Sequence, residues 1–408
     1  MIRKNWILSA IDNMPAELSY DVAVIGAGPA GIAAAVAAAR LNSHVALIDA
    51  ADRLGGSVTA AMHRSLCGLY AAAPAHPTDT LNDGLQREIV TRMAAIDSRS
   101  VQPRQMGKVW VLEFPPDVWQ ASLADICSEA KVELRLGSRA TAVRRDGPLL
   151  RAVQFDGATP EWIDARVIID CTGDGGVLHL VGEDALLPPD PAAGRMLGGF
   201  ALRLAGLGGD LEFLRLQIPY VLAQAVERSI LPASARFTLF HPGPGGGEGV
   251  CKLAIHPDDF SFDRTELFAD RILAVLMREV PGFDAARVVE KSPRVLQRDG
   301  RRLRGKWVIS EDDVLTARRH GPNAVHAWWP IERWDVAQGP TYAYPPLGEH
   351  YDIPDEALRS AAVENLLAAG ACLSATAAAA ASLRAGGICL ATGAAAGRLA
   401  AQTCRHLS

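Results

Sequence analysis

The sequence predicts an α/β fold: a parallel-sheet domain of nucleotide-binding type, assembled from both chain ends, with a second, mainly β domain inserted between them. Three observations carry this expectation. The chain opens with strand, glycine loop, helix and strand over residues 21–49, and a buried pattern returns over residues 365–404. Between them the composition changes, with aromatics and prolines rising over residues 188–354. The expected division is therefore 1–187, 188–354 and 355–408.

Each element has its own local reason. Residues 21–25 (DVAVI) are a short apolar run of the kind a buried parallel strand needs. A glycine loop follows, then an Ala-rich helix to about Leu41, a turn at Ser43, and a second buried strand (HVALI) ending at Asp49. Asp117, behind Pro115-Pro116, is expected to cap a helix over 117–130. Strands are expected at 132–136, 141–145 and 150–155, and RVIID at 166–170 runs into Cys171-Thr172-Gly173-Asp174-Gly175. In the middle region 220–228 and 265–279 read as helices, and the glycine-rich stretch 242–249 reads as a mobile hairpin loop. A strand near 365–370 and a helix after Gly386-Gly387 complete the chain.

A chain of 408 residues suggests two or three domains at about 150 residues each. Forty-one Lys and Arg are scattered among 46 Asp and Glu with no basic stripe, so no nucleic-acid partner is expected. The seven cysteines form no CxxC and are odd in number, which argues against a disulfide framework and a cysteine metal site. No metal is expected, and a reducing, cytoplasmic setting is the simple reading. The apolar run 6–8 behind Arg3 and Lys4 is too short for a signal core. Runs 22–39 and 366–383 are broken by glycine or are rich in small residues, so no membrane span is expected. Oligomeric state is left open.

The chemistry starts at Gly26-x-Gly28-Pro29-Ala30-Gly31. The first glycine permits a tight turn, and the second lets backbone approach a pyrophosphate. The third allows close helix–strand packing, with phosphates on the helix N-terminus. Asp49, with Ala50 beside it, stands 18 residues after Gly31, where a carboxylate accepts hydrogen bonds from ribose hydroxyls. The fingerprint alone does not separate FAD from NAD. Three later segments favour a flavin dinucleotide: Arg53-Leu54-Gly55-Gly56-Ser57-Val58-Thr59, the turn at Gly173-Asp174, and the tail with Gly370, Gly387 and Ile388.

With these segments in place, the chain resembles the FAD-dependent oxidoreductase superfamily, with its glutathione-reductase-like FAD domain. More narrowly, it is similar to a bacterial group within it. The matching residues are Gly55-Gly56 with Thr59, Cys67-Gly68, Thr172-Gly173-Asp174, Tyr351-Asp352-Ile353-Pro354, and Asn365 through Gly370. Ser374-Ala375-Thr376, Ser382-Leu383-Arg384 and Thr392-Gly393 complete the match, which runs from about residue 20 to 402. The resemblance implies a Rossmann-like domain that binds FAD. The group usually carries Arg where this chain has Ala371, so no cation contact is carried over there.

Substrate residues are expected in the middle region. Period-2 alternation over 326–334 would put His326, Trp328, Glu332 and Trp334 on one face, a lining for a planar or cationic substrate. The plainer reading is a half-buried strand with packed tryptophans and Glu332 paired to an arginine. Arg384 is expected to add charge or anchor substrate at the start of the last helix, whose N-terminus would face the flavin N1–C2=O edge, with a salt bridge from Arg384 to the inserted domain as the alternative. Arg301-Arg302-x-x-Gly305 resembles a segment of the same group and offers a carboxylate anchor or a solvated turn. Cys67 and His63 raise covalent flavin attachment, with a packed cysteine as the simpler reading. Trp328-Trp329-Pro330-Ile331 is only superficially similar to the halogenase Trp-x-Trp-x-Ile-Pro stretch. The expected function is FAD-dependent oxidation of a small molecule, with hydride passing from substrate carbon to flavin N5. The alternatives are a monooxygenase fed by external NAD(P)H, and a flavin-bearing accessory protein without turnover.

Overall fold

The computed structural model describes residues 18–157, 160–243 and 245–406. The 6–8 run and Pro244 of the glycine-rich stretch lie outside the described residues.

The first layer is a seven-stranded sheet in the order Glu133–Leu136, Val45–Asp49, Leu18–Ile25, Glu161–Asp170, Leu149–Phe155 and Ala140–Asp146, with Leu366–Ala368 also paired to Glu161–Asp170. Val22 to Ile25 run parallel to Val45–Ile48 on one side and to Val167–Asp170 on the other. Leu366, Leu367 and Ala368 then align with Ile168, Ile169 and Asp170, so the C-terminal segment completes a sheet begun near the N-terminus. Asn365 fixes that join. Its Oδ1 accepts from Leu150 N at 2.8 Å, and its Nδ2 donates to Leu150 O at 2.7 Å and Arg166 O at 2.8 Å.

The helix Pro29–Ala39 is buried through its first ten residues and so has no polar stripe; it is covered on one side by the sheet and on another by Gly386–His406. Small side chains let the two helices approach backbone to backbone. A Cβ added at Gly393 would lie 2.0 Å from Ala30 O, and one at Gly397 would lie 2.1 Å from Ala34 O.

The insertion is an antiparallel sheet in the order Leu239–Pro242, Glu248–Ile255, Gly198–Ala205 and Arg287–Lys291. Phe200, Leu202 and Leu204 turn one face toward helices Leu211–Glu227 and Phe262–Glu279, where Leu214, Ile218, Phe268 and Ile272 close a separate core. Both helices begin earlier than their sequence expectations. Pro219 sits inside the first and hides its N-terminal half from a reading based on breakers. Asp210 caps that half, accepting from Glu212 N and Phe213 N.

Two expectations need correction. Asp117 is not an N-cap: the helix runs Pro116–Glu129 with Pro115 at the cap, and Asp117 acts in the first turn, where its charge faces the positive helix end. The separate core of the insertion ends near Val295, whereas Ile309, Val325, Ala327, Trp329, Tyr351 and Ile353 pack into the larger core. The last part of the expected 188–354 domain is thus welded to the first layer by apolar burial.

Among the described residues no single helix is long and apolar enough to cross a membrane; Ala377–Leu383 and Gly386–His406 bend by 96° at their junction.

Gly397→Val tests the helix contact. Its methyls would meet backbone rather than a movable side chain, so a loss of about 1–3 kcal/mol or more is expected. Denaturant unfolding of wild type and variant measures it, and an unchanged midpoint would refute the packing argument.

Candidate active site

Gly26 has φ +108°, and a Cβ there would lie 2.3 Å from Cys171 O; at Gly31 it would lie 1.7 Å from Gly26 O. Gly28 is the N-cap of Pro29–Ala39, with no side-chain cap and no acid in the first turn. That helix end therefore presents backbone donors to an anion, and Ala30 and Gly31 supply the N–H groups that Pro29 lacks. Asp49 closes the loop. Its Oδ2 accepts from Ala27 N at 2.5 Å and its Oδ1 from Ala51 N at 2.7 Å, with Ala50 exposed between.

The next turn stacks on the first. Gly55 and Gly56 have φ +97° and +53°, and a Cβ at Gly56 would lie 2.7 Å from Gly28 Cα. Thr59 Oγ1 donates to Leu54 O at 2.8 Å, and Gln120 Nε2 donates to Leu54 O at 2.9 Å and to Thr59 Oγ1 at 2.7 Å. Trp119 Nε1, buried beside Gly55, has no acceptor among the described residues. A glycine-lined cradle, an uncapped helix end and an orphaned donor at its edge fit a dinucleotide. Ser57 is exposed. Arg53 turns away, reaching Glu290 of the insertion at 3.6 Å.

At the end of the central strand the buried Asp170 organises the Gly173-Asp174 turn. It accepts from Thr172 N (2.9 Å), Thr172 Oγ1 (2.7 Å) and Leu178 N (2.9 Å). Burial raises its pKa despite these donors. Gly173 is exposed with open space beside it, and Asp174 is half-buried against Gly300.

In the tail, Gly370 packs on Ala30 and its amide donates to Thr392 Oγ1 at 3.2 Å. Gly387 departs from expectation. Its amide donates to Cys67 O at 2.7 Å, and a Cβ there would meet Gly68 backbone at 2.6 Å. It clamps the Cys67-Gly68 turn, with Ile388 packed on the same turn, and is not free to donate to a flavin edge. Gln86, missed in the sequence, reaches across 301 positions to donate to Gly387 O at 2.6 Å.

The structure divides the four candidate catalytic residues. Pro330 breaks the expected single strand into Val325–Ala327, paired with Tyr351–Ile353, and Ile331–Asp335, paired with Gly339–Ala343. His326 goes to one side, with Nδ1 2.9 Å from Asp352 Oδ1. Trp328 is 1% exposed, and its indole donates to Pro346 O at 3.0 Å, so it packs rather than lines a wall. Glu332 lies elsewhere, with Trp334 Nε1 at 2.7 Å and Trp329 Nε1 at 3.2 Å. Burial alone would raise its pKa, but Arg384 and the two indole donors bring it below the usual value.

Glu332 and Arg384 belong to a buried cluster of charged side chains that the sequence did not reveal. The outer face of the insertion sheet closes over residues 53–67, where Ser292 Oγ donates to Ala60 O at 2.8 Å and Lys252 Nζ donates to His63 Nδ1 at 2.7 Å. Burial and the neighbouring Lys252 hold His63 well below its ordinary pKa, so it is neutral. Burial also lowers Lys252 to about 8 and Arg298, helped by nearby Arg384, to about 9. The Arg298 guanidinium lies 4.0 Å from the Trp334 ring centre. Arg384 Nη2 donates to Glu332 O at 2.8 Å, while its buried Nε has no partner among the described residues. Burial pushes the Cys67 thiol up to about 12, with Glu332 adding and Lys252 and Arg384 opposing. All seven cysteines are free thiols.

Among curated proteins, dihydrolipoyl dehydrogenase 3 of Pseudomonas aeruginosa is 27% identical over 318 residues, covering 72% of this chain and 67% of that protein. The ferredoxin–NADP reductase of Ralstonia pickettii is 36% identical over 88 residues, only 22% of each chain. Among solved structures, a geranylgeranyl bacteriochlorophyll reductase-like protein of Thermoplasma acidophilum aligns over 96% of this chain and 79% of its own, at 14% identity and TM-score 0.48. The family described as FAD dependent oxidoreductase matches residues 21–190 and 257–407, leaving out only the first half of the insertion and the chain ends. That match spans well over half of the sequence: the chain belongs to the FAD dependent oxidoreductase family and is an FAD-dependent enzyme.

Proposed function

We propose that a chamber where the insertion sheet meets residues 53–67, lined by this charged cluster, takes a small anionic substrate, and that the enzyme oxidises it at a carbon bearing a hydroxyl or amino group. The observation that carries this reading is Lys252. It is a lysine whose pKa burial lowers to about 8, bonded to a neutral histidine, in a buried cluster that also holds Arg298, Arg384 and one carboxylate. Arg384 Nε is a donor that a substrate carboxylate would satisfy, since burying it without a partner is costly. Neutral Lys252 takes the hydroxyl or ammonium proton, and His63 orients it. FAD, when bound, would supply the hydride acceptor for the substrate carbon.

For the cofactor, the proposal assigns the pyrophosphate to the Gly26–Gly31 loop and a ribose to Asp49. The backbone turns at Gly55-Gly56 and Gly173-Asp174, with Gly370 and Ile388, hold the remainder. The alternative, hydroxylation with external NAD(P)H, differs in the electron source. Stopped-flow reduction by a panel of hydroxy acids and amines is expected to bleach the flavin without any nicotinamide; bleaching by NADPH alone would favour the alternative.

The pH profile tests the base. A lysine acting as proton acceptor must be neutral, so kcat/KM should rise with pH and level off above about 8. Lys252→Met should flatten the rise and lower the rate by roughly 10²–10⁴-fold. A wild-type profile that falls through that range would contradict the assignment.

Asp49→Ala should weaken FAD retention by roughly 10–150-fold, as expected for loss of a charged acceptor worth about 1.5–3 kcal/mol. Flavin fluorescence released on dilution measures it. Cys67, protonated at neutral pH and without a disulfide partner, should tolerate Cys67→Ser with flavin reduction changed only a few-fold. Wild-type flavin should be freed by acid, and retention in the precipitate would indicate a covalent link.

A further inference from the structure

We infer that His326, His350 and Asp352 form a site for a divalent transition metal, with Zn²⁺ the best-suited ion. The three donors come from one corner of the fold. His326 and Asp352 are direct register partners in the antiparallel pair of Val325–Ala327 and Tyr351–Ile353, so their side chains leave the same face. His350 stands two residues before Asp352 and by strand alternation shares that side.

Their ligand atoms all lie within 4.8 Å of one another. His326 Nδ1 is 2.9 Å and His350 Nε2 3.5 Å from the same oxygen, Asp352 Oδ1. Donors about 2.0–2.1 Å from a tetrahedral Zn²⁺ sit about 3.3 Å apart, so these two separations bracket what the ion requires. Two imidazoles and a carboxylate are a donor set that suits Zn²⁺ and leaves a fourth position open.

The surroundings support a built site. Asp352 is 2% exposed, and its second oxygen accepts from His320 N at 2.8 Å, which fixes the carboxylate in place. Asn82 grips the backbone of His326 from both sides, accepting from His326 N at 2.9 Å and donating to His326 O at 2.8 Å. The His326 and His350 rings are 4.1 Å apart, close packing for two imidazoles that share no direct hydrogen bond. The guanidinium of Arg319 lies against His350 Nε2, where it places positive charge at the open edge of the cluster. Arg319 is a half-exposed side chain also paired with Glu349, so it can swing out and let an ion take its place. No cysteine-spacing motif marks this set, which contains no cysteine and spans 26 positions.

The test uses FAD-loaded protein treated with chelator and then dialysed against Zn²⁺ alone, with metal and protein measured in the retained fraction. One equivalent is expected to bind, and thermal unfolding should move to higher temperature. His350→Gln removes one half-buried ligand at the edge of the strand pair. It should weaken binding by more than the roughly 10–100-fold that loss of an outer partner costs, and abolish the thermal shift. Arg319→Ala removes the competing cation and should keep or tighten binding. No retained Zn²⁺ in wild type, equal retention by His350→Gln, or weaker binding in Arg319→Ala would each overturn the site.

Discussion

The fold depends on a crowding of backbones around residues 26–31. Gly26 lies against Cys171 O, Gly31 against Gly26 O, and Gly393 against Ala30 O, each closer than any side chain would permit. These contacts join the first strand, the central strand and the C-terminal helix at one point. The N-terminal helix can therefore be nearly featureless, a run of alanines with no polar face, because its specificity comes from glycines on its neighbours. The same crowding leaves the helix end uncapped by any side chain, so its donors remain for a ligand. Packing and the open helix end rest on one set of residues.

The insertion adds a second constraint. One face of its sheet is satisfied by its own helices, and the other must cover polar groups that follow the Gly55-Gly56 turn. Closing a lysine, two arginines and a histidine against a single carboxylate is unfavourable in a low-dielectric space. The chain offsets this in three ways. His63 and Lys252 shift toward neutral forms, Arg298 stacks on Trp334, and Glu332 is held ionised by two indole donors and Arg384. The remaining imbalance is positive, which is why the proposed substrate is anionic.

Much of the first layer was legible because its signals are local. A glycine loop between two apolar runs, and an acid at the end of the second, are readable within thirty residues and appear where expected. The roles of Asp170, Gln86, Gln120 and Asn365 were not legible, because each acts through partners known only after folding; Asn365 bonds across 215 positions and Gln86 across 301. Lys252 had no motif at all and became visible only when the insertion sheet met His63, 189 positions away. The expected single strand over 326–334 fails for a local reason: Pro330 ends one pairing and starts another, so the alternation does not carry across it.

That break gives the two short strand pairs distinct tasks while keeping them mechanically joined. Tyr351, between His350 and Asp352, sends its hydroxyl to Ser382 Oγ at 2.7 Å. Ser382 spends its own proton on Trp329 O at 2.6 Å, so Tyr351 must be the donor in that contact. Trp329 in turn donates its indole N–H to Glu332, which completes a buried line from the His326–Asp352 corner to the carboxylate of the charged cluster. Every member of this line is fixed by a hydrogen bond whose loss would strand a buried polar atom. Pro330 removes a ladder donor, but the backbone carbonyl just before it is taken up by Ser382, so the break costs little and leaves both pairs aligned. The orientation of Glu332 therefore rests on the strand pair that carries His326 and Asp352, although His326 does not share a face with Glu332 as the alternation suggested.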